Sequence, residues 1–183
     1  MKPVQVKITD PTIAPKLSKE FVETKGIAAA VCFKKAKKKS GVILTVNGHF
    51  NKLMMISWDK LDNKVLNTYA DDREITEWGA EAIAFAIVEF FTSYRCVKRS
   101  QIGTGFDYYL TEDDSTLFQG KIAKLEVSGI LSIKRNSDIS KRLSLKTKQA
   151  TDKYKNMPFY VIIIAFSAPV AEVYYGNHGR KTS

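Results

Sequence analysis

The sequence predicts an α/β fold of the α+β kind, built on a mixed central sheet, and three stretches carry that prediction. Residues Thr76 to Tyr94 place Ile83, Ile87 and Phe90 at helical spacing, with Phe85, Val88 and Phe91 filling in. A helix apolar on nearly every side needs a sheet to lie against. The run FYVIIIAFSAP from Phe159 is apolar without alternation, the pattern of a strand covered on both faces. Between them, GFDYYL and KIAKLEVS read as two strands joined by a polar connection. At 183 residues the chain suits one domain, with residues 1–75 expected as a β-rich N-terminal part packed on a core spanning 76–183.

Taken in order, Met1 to Lys25 carries three prolines and scattered charge, and reads as an irregular lead-in. From Gly26 the chain turns apolar, GIAAAVCF, breaks into KKAKKKSG and resumes as VILTVNGHFNKLMMISW. That pattern predicts strands joined by a hairpin whose tip holds Lys34, Lys35, Lys37, Lys38 and Lys39, with a second turn at Asn47-Gly48. Asp71, Asp72 and Glu74 then oppose the dipole at the start of the long helix, Thr76 is its candidate cap, and Ala80, Ala82, Ala84 and Ala86 are strong helix formers. YRCVKRSQIG is expected as a strand leading into the two already described. A basic segment follows, with Ser137 as its helix cap and Ile139, Leu143, Ala150 and Tyr154 along one face. Pro158 ends that helix, and AEVYY forms a last strand before the tail GNHGRKTS.

Strand alternation puts Phe106, Tyr108 and Leu110 on one face, with Asp107 and Tyr109 on the other. On the partner strand Ala123, Leu125 and Val127 oppose Lys124, Glu126 and Ser128. A register that sets Asp107 near Glu126 makes two carboxylates neighbours, which is destabilising unless a lysine or a divalent cation sits between them. Paired oxygen ligands are what magnesium or manganese prefer. Glu81, set among Ala80, Ile83, Ala84 and Phe85, is costly to bury unpaired, and its arrival at the same sheet face would account for all three acids.

The order helix with Glu81, strand, strand with Asp107, strand with Glu126-Val127-Ser128, basic helix, apolar strand resembles the PD-(D/E)XK nuclease superfamily, whose restriction-endonuclease-like fold has an αβββαβ core. The resemblance covers roughly Thr76 to Ala168 and leaves Met1 to Glu74 outside. It implies Asp107 and Glu126 as catalytic metal ligands, Glu81 as the helix acid with Glu77 as its substitute, and Mg or Mn as cofactor for phosphodiester hydrolysis. Ser128 stands where the superfamily's lysine belongs, and a serine has neither the charge nor the basicity for that role. Lys124, two residues earlier on the same face, or a lysine of the basic helix is the candidate replacement. The alternative is a catalytically inactive interaction subunit of a DNA-processing or defence complex.

Charge points the same way. The net charge is +10 with a pI near 9.5, and from Lys134 to Lys155 eight basic residues stand against Asp138 and Asp152, a net of +6. Such a balance favours a polyanionic partner. Lys134, Arg135, Lys141, Arg142, Lys146 and Lys148, with Lys37 and Lys38, are expected to contact a nucleic-acid backbone, DNA ahead of RNA; a protein partner or homodimer is the further expectation. No apolar run approaches the ~20 residues that span a bilayer, and the N-terminus lacks the apolar core of a secretory signal, so a cytoplasmic protein is expected. Cys32 and Cys96 are expected as small buried hydrophobes. His49 and His178 have no spacing that suggests zinc, and Gly103-Thr104-Gly105 lacks the strand-to-helix context of a phosphate loop.

Overall fold

The apolar run near the C-terminus is the axis of the fold. In the computed structural model, which describes residues 1–101, 103–112, 122–135, 137–153 and 157–177, strand β7 (Phe159–Ala165) is buried along its whole length. It pairs in parallel with β6 (Ile122–Ile130) and antiparallel with β8 (Val170–Gly176). On one side β5 (Tyr108–Thr111) and β4 (Arg95–Arg99) continue the sheet as an antiparallel meander. On the other side β2 (Val42–Gly48), β3 (Lys52–Ser57) and β1 (Val4–Lys7) extend it, giving one eight-stranded mixed sheet ordered β1-β3-β2-β8-β7-β6-β5-β4. The N-terminal part is therefore built into the same sheet as the core.

The described residues include four α-helices, α1 (Lys19–Lys35), α2 (Asn63–Thr68), α3 (Asp72–Phe91) and α4 (Ser137–Lys153). The succession α3, β4, β5, β6, α4, β7 has the αβββαβ order expected from the sequence. The parallel step from β6 to β7 needs a crossover, and α4 provides it. No helix among the described residues is long and apolar enough to cross a membrane.

Two expectations are corrected. The run GIAAAVCF is the second half of α1 and not a strand, and the lysines after it sit at that helix's C-terminal end and not at a hairpin tip. Ala28, Ala29 and Ala30 are the best helix formers, and every residue from Ala28 to Phe33 is buried, so the run shows no polar face to mark its period. Small residues also let the helices touch: a Cβ on Gly79 of α3 would come 2.8 Å from the Cα of Ala29. The start of α3 differs as well. Asp71 is its N-cap, accepting from the Glu74 amide at 2.8 Å, while Thr76 lies inside the helix with its hydroxyl on the Asp72 carbonyl.

Each face of the sheet has its own core. Under α1 and α3 lies the larger one, which takes Tyr108 and Leu110 of β5 and Ala123, Leu125 and Val127 of β6. A Cβ on Gly129 would strike the Thr76 carbonyl oxygen at 2.3 Å, so glycine there lets α3 settle directly on β6. Under α4 is a smaller core of Ile139, Ala150, Phe159, Val161 and Ile163. Phe106 joins this second core and not the face of Tyr108, because Gly103 and Gly105 take positive φ (94° and 84°) and strand alternation begins only at Tyr108. Cys32 and Cys96 are both free and buried.

Candidate active site

The β5–β6 register continues one residue beyond the strand. Tyr108 pairs with Leu125, the Asp107 amide donates to the Leu125 carbonyl at 2.9 Å, and Asp107 thereby stands beside Glu126. The Val127 amide donates to Asp107 Oδ2 at 2.7 Å and fixes that carboxylate. Glu126 is 8% exposed, and its Oε1 lies 2.5 Å from Nζ of Lys146 on α4. One turn earlier on α4, Arg142 Nη1 donates to the Ser128 hydroxyl at 3.1 Å. Four residues of helix rise ~6 Å and two residues of strand ~6.6 Å, so successive turns of α4 match successive inward positions of β6. Helix α4 therefore sets a cation against each of two neighbouring inward positions of β6.

Asp107, Glu126 and Lys146 open on one cleft of about 290 Å³, which Arg99, Gln101 and Gly105 complete. Burial, and then the neighbouring charge of Glu126, push the Asp107 carboxyl up to about 7; the Val127 amide and Lys146 act against that rise. Lys124 takes another direction, with its ammonium 4.8 Å from the centre of the Phe106 ring and its pKa lowered by burial.

Glu81 forms no metal-holding group with the other two acids, although its charge adds to the rise at Asp107. Its Oε2 lies 2.6 Å from Nζ of Lys25 on α1, and the two residues are 7% and 2% exposed. The Lys25 ammonium also sits 4.5 Å from the Trp78 ring centre and 5.0 Å from that of Phe21. Burial pushes the lysine pKa down against the opposing pull of Glu81. Glu77 points outward, 3.7 Å from Arg73. Among the described residues no three His, Cys, Asp or Glu side chains form a group that could hold a metal ion. Among the described residues Asp107 and Glu126 are the carboxylates of the cleft, with Ser100, Gln101 and Gln149 as further polar lining.

Of the expected backbone contacts, Lys134, Arg135, Lys141 and Lys148 are exposed, and Arg142 and Lys146 turn toward β6. Lys37 and Lys38 follow the end of α1. Sequence reasoning missed Arg99 and Lys25. For Lys25 the signal was available, since Val22, Lys25, Ala29 and Cys32 recur at helical intervals and place a lysine on a buried stripe. Comparison with protein-family models, with curated proteins and with solved structures gives no match for this chain.

Proposed function

We propose that this chain binds nucleic acid and hydrolyses its phosphodiester backbone with Mg²⁺ or Mn²⁺ held by Asp107 and Glu126, in the manner of the PD-(D/E)XK superfamily. The observation that carries the reading is the meeting of two strand carboxylates with the ammonium of Lys146 in one cleft, beside a helix rich in exposed basic residues. The donors fit such an ion. Two hard oxygen ligands stand side by side, and Asp107, pushed toward neutrality by burial and then by Glu126, would regain its charge beside a dication. When bound, the ion would lower the pKa of a coordinated water and neutralise charge on the phosphate. The chain's own groups do the rest. The Val127 amide orients Asp107, Lys146 can turn from Glu126 to a phosphate oxygen, and Arg99 adds a second cation at the rim.

A second reading has its own support. Glu126 is neutralised within the protein by Lys146, Glu81 by Lys25, and Ser128 takes the lysine position, which suits a catalytically inactive subunit that retains the basic surface. One experiment separates the two. The protein is incubated with DNA and with RNA in Mg²⁺ or Mn²⁺, alongside Asp107→Ala and Glu126→Ala. Cleavage by the wild type that both substitutions abolish supports the nuclease. Binding without cleavage supports the inactive subunit, and cleavage that survives both substitutions belongs to a contaminant.

A further inference from the structure

The lysines at the end of α1 and the loop that follows β6 are about a hundred residues apart in sequence, yet they border one cavity. A space of about 500 Å³ is lined by Lys35, Lys37, Asp72, Leu131, Ser132 and Ser167, and Lys134 and Arg135 follow outside it along the chain. The loop is braced there by the Ile133 amide on Ser167 Oγ at 3.0 Å. The backbone amides of Lys134 and Arg135 both donate to Asp138 at 2.9 Å, while the two residues stay exposed. On the other bank Lys35 is committed to Asp72 at 2.5 Å. Lys34, Lys37 and Lys39 are exposed and have no ion-pair partner among the described residues.

Lys37 carries a second, independent sign. The Lys37 amide bonds to the Lys34 carbonyl and the Lys38 amide to the Phe33 carbonyl, both at 2.9 Å, which closes α1 in a Schellman turn. Lys37 occupies the left-handed position of that turn with φ 59°, the one positive φ at a residue other than glycine among the described residues. Glycine is the residue that position favours, so a lysine held there against backbone preference points to a use for its charge.

We infer that the end of α1 and the β6–α4 loop form one phosphate-binding ledge that grips a nucleic-acid duplex. Resting on the nucleic-acid reading above, this names the duplex and a second point of contact. Glu126 and Leu131 are five residues apart along the chain, at most about 17 Å of extended backbone, so a duplex longer than about five base pairs is the occupant that can reach both places. A duplex is stiff on that scale and bridges both points without being ordered, whereas a single strand must be held at each.

The test is salt-dependent binding of a 20-base-pair DNA duplex, and of a single strand of equal length, to the full chain without divalent metal. Two variants are compared with the wild type: Lys34→Gln/Lys37→Gly/Lys39→Gln and Lys134→Gln/Arg135→Gln. The log–log salt slope on the duplex is expected to flatten by about 3 in the first and about 2 in the second, near 0.9 for each phosphate the protein no longer neutralises, and the single strand to change less. Lys37→Gly alone keeps or raises Tm, because glycine suits the turn, which separates weaker phosphate binding from a weakened fold. Slopes unchanged in both variants would overturn the ledge while leaving the nucleic-acid reading intact, and equal losses on duplex and single strand would overturn the choice of duplex. A wild type that binds neither nucleic acid would remove the reading and the ledge together.

Discussion

Among the described residues two lysine–glutamate pairs join one element to another, and their surroundings separate them. Lys25–Glu81 is sealed between α1 and α3, with side chains 3% and 9% exposed, and aromatic rings of Trp78 and Phe21 over the ammonium. Lys146–Glu126 joins α4 to β6 with side chains 27% and 11% exposed, on the wall of a cleft that also holds Asp107. The sealed pair is out of reach of solvent on both sides. In the open pair, an incoming cation can displace the lysine and an incoming phosphate can engage it. The same chemistry is structural where water is excluded and available for function where it is not.

Breaking the sealed pair gives the largest expected effect. Glu81→Ala leaves an ammonium buried without its counter-charge, and stability is expected to fall by about 4 kcal/mol in urea denaturation. The double variant Lys25→Met/Glu81→Leu removes both charges and is expected near wild-type stability or above it. A small loss in the single variant would mean that water reaches the pair, and the contrast with the cleft would collapse.

Next in size is Asp107, whose effect has the opposite sign. Its carboxyl titrates near 7 in the folded chain against an ordinary value of 3.8. Between those values the folded state holds a proton that the unfolded state has released. Stability is therefore lost as pH rises through the window from about 4 to about 7, and the loss persists above it. Asp107→Asn never loses that proton. It is expected to match the wild type below pH 4 and to exceed it by about 2–4 kcal/mol at pH 8, while abolishing cleavage. Thermal melts of both proteins at pH 4, 6 and 8 measure the difference. A gap that does not change with pH would place Asp107 in an ordinary, well-solvated site. In the wild type at pH 8, added Mn²⁺ is expected to raise Tm, and in Asp107→Asn to leave it nearly unchanged.

How far the sequence foretold this contrast depends on which distances it had to span. The adjacency of Asp107 and Glu126 was legible because strand alternation and a hairpin register are local rules. The αβββαβ order was legible because α3 and β7 are too apolar to be anything but core. The partners of the acids were not. Lys146 reaches Glu126 only because α4 runs beside β6 with matched repeats, a fact of packing across twenty residues. Lys25 reaches Glu81 across 56 residues, and only once GIAAAVCF is a helix. An all-buried helix and an all-buried strand look alike at that length. Phe106 was misplaced because two glycines with positive φ interrupt the alternation just before it.

Lys146→Met tests the open pair directly. Lys146 is partly solvated and the methionine keeps the stem, but Glu126 stays buried without its counter-charge, so the cost is expected at about 2 kcal/mol, below Glu81→Ala. Its effect on function is expected to be larger: if Lys146 serves the phosphate, single-turnover cleavage falls at least ~100-fold. With the lysine gone, Asp107 loses a charge that favours its ionised form, and the pH at which its stability window closes moves up.

The smallest expected effect belongs to Lys124, and it decides which lysine answers for Ser128. Lys124 and Ser128 flank Glu126 on the same strand face, but the Lys124 ammonium lies over the Phe106 ring while Lys146 meets Glu126. Lys124→Met keeps an apolar stem over that ring and gives up a cation–π contact worth roughly 0.5–1 kcal/mol. Stability is expected within about 1 kcal/mol of the wild type, and cleavage within about twofold. A loss on cleavage as large as that of Lys146→Met, with the melting curve unmoved, would return the chemistry to the strand and leave α4 as a clamp on Glu126. A loss in Lys146→Met alone would mean that the motif's positive charge has passed from strand to helix, carried by a side chain that the sealed pair's surroundings could never have released.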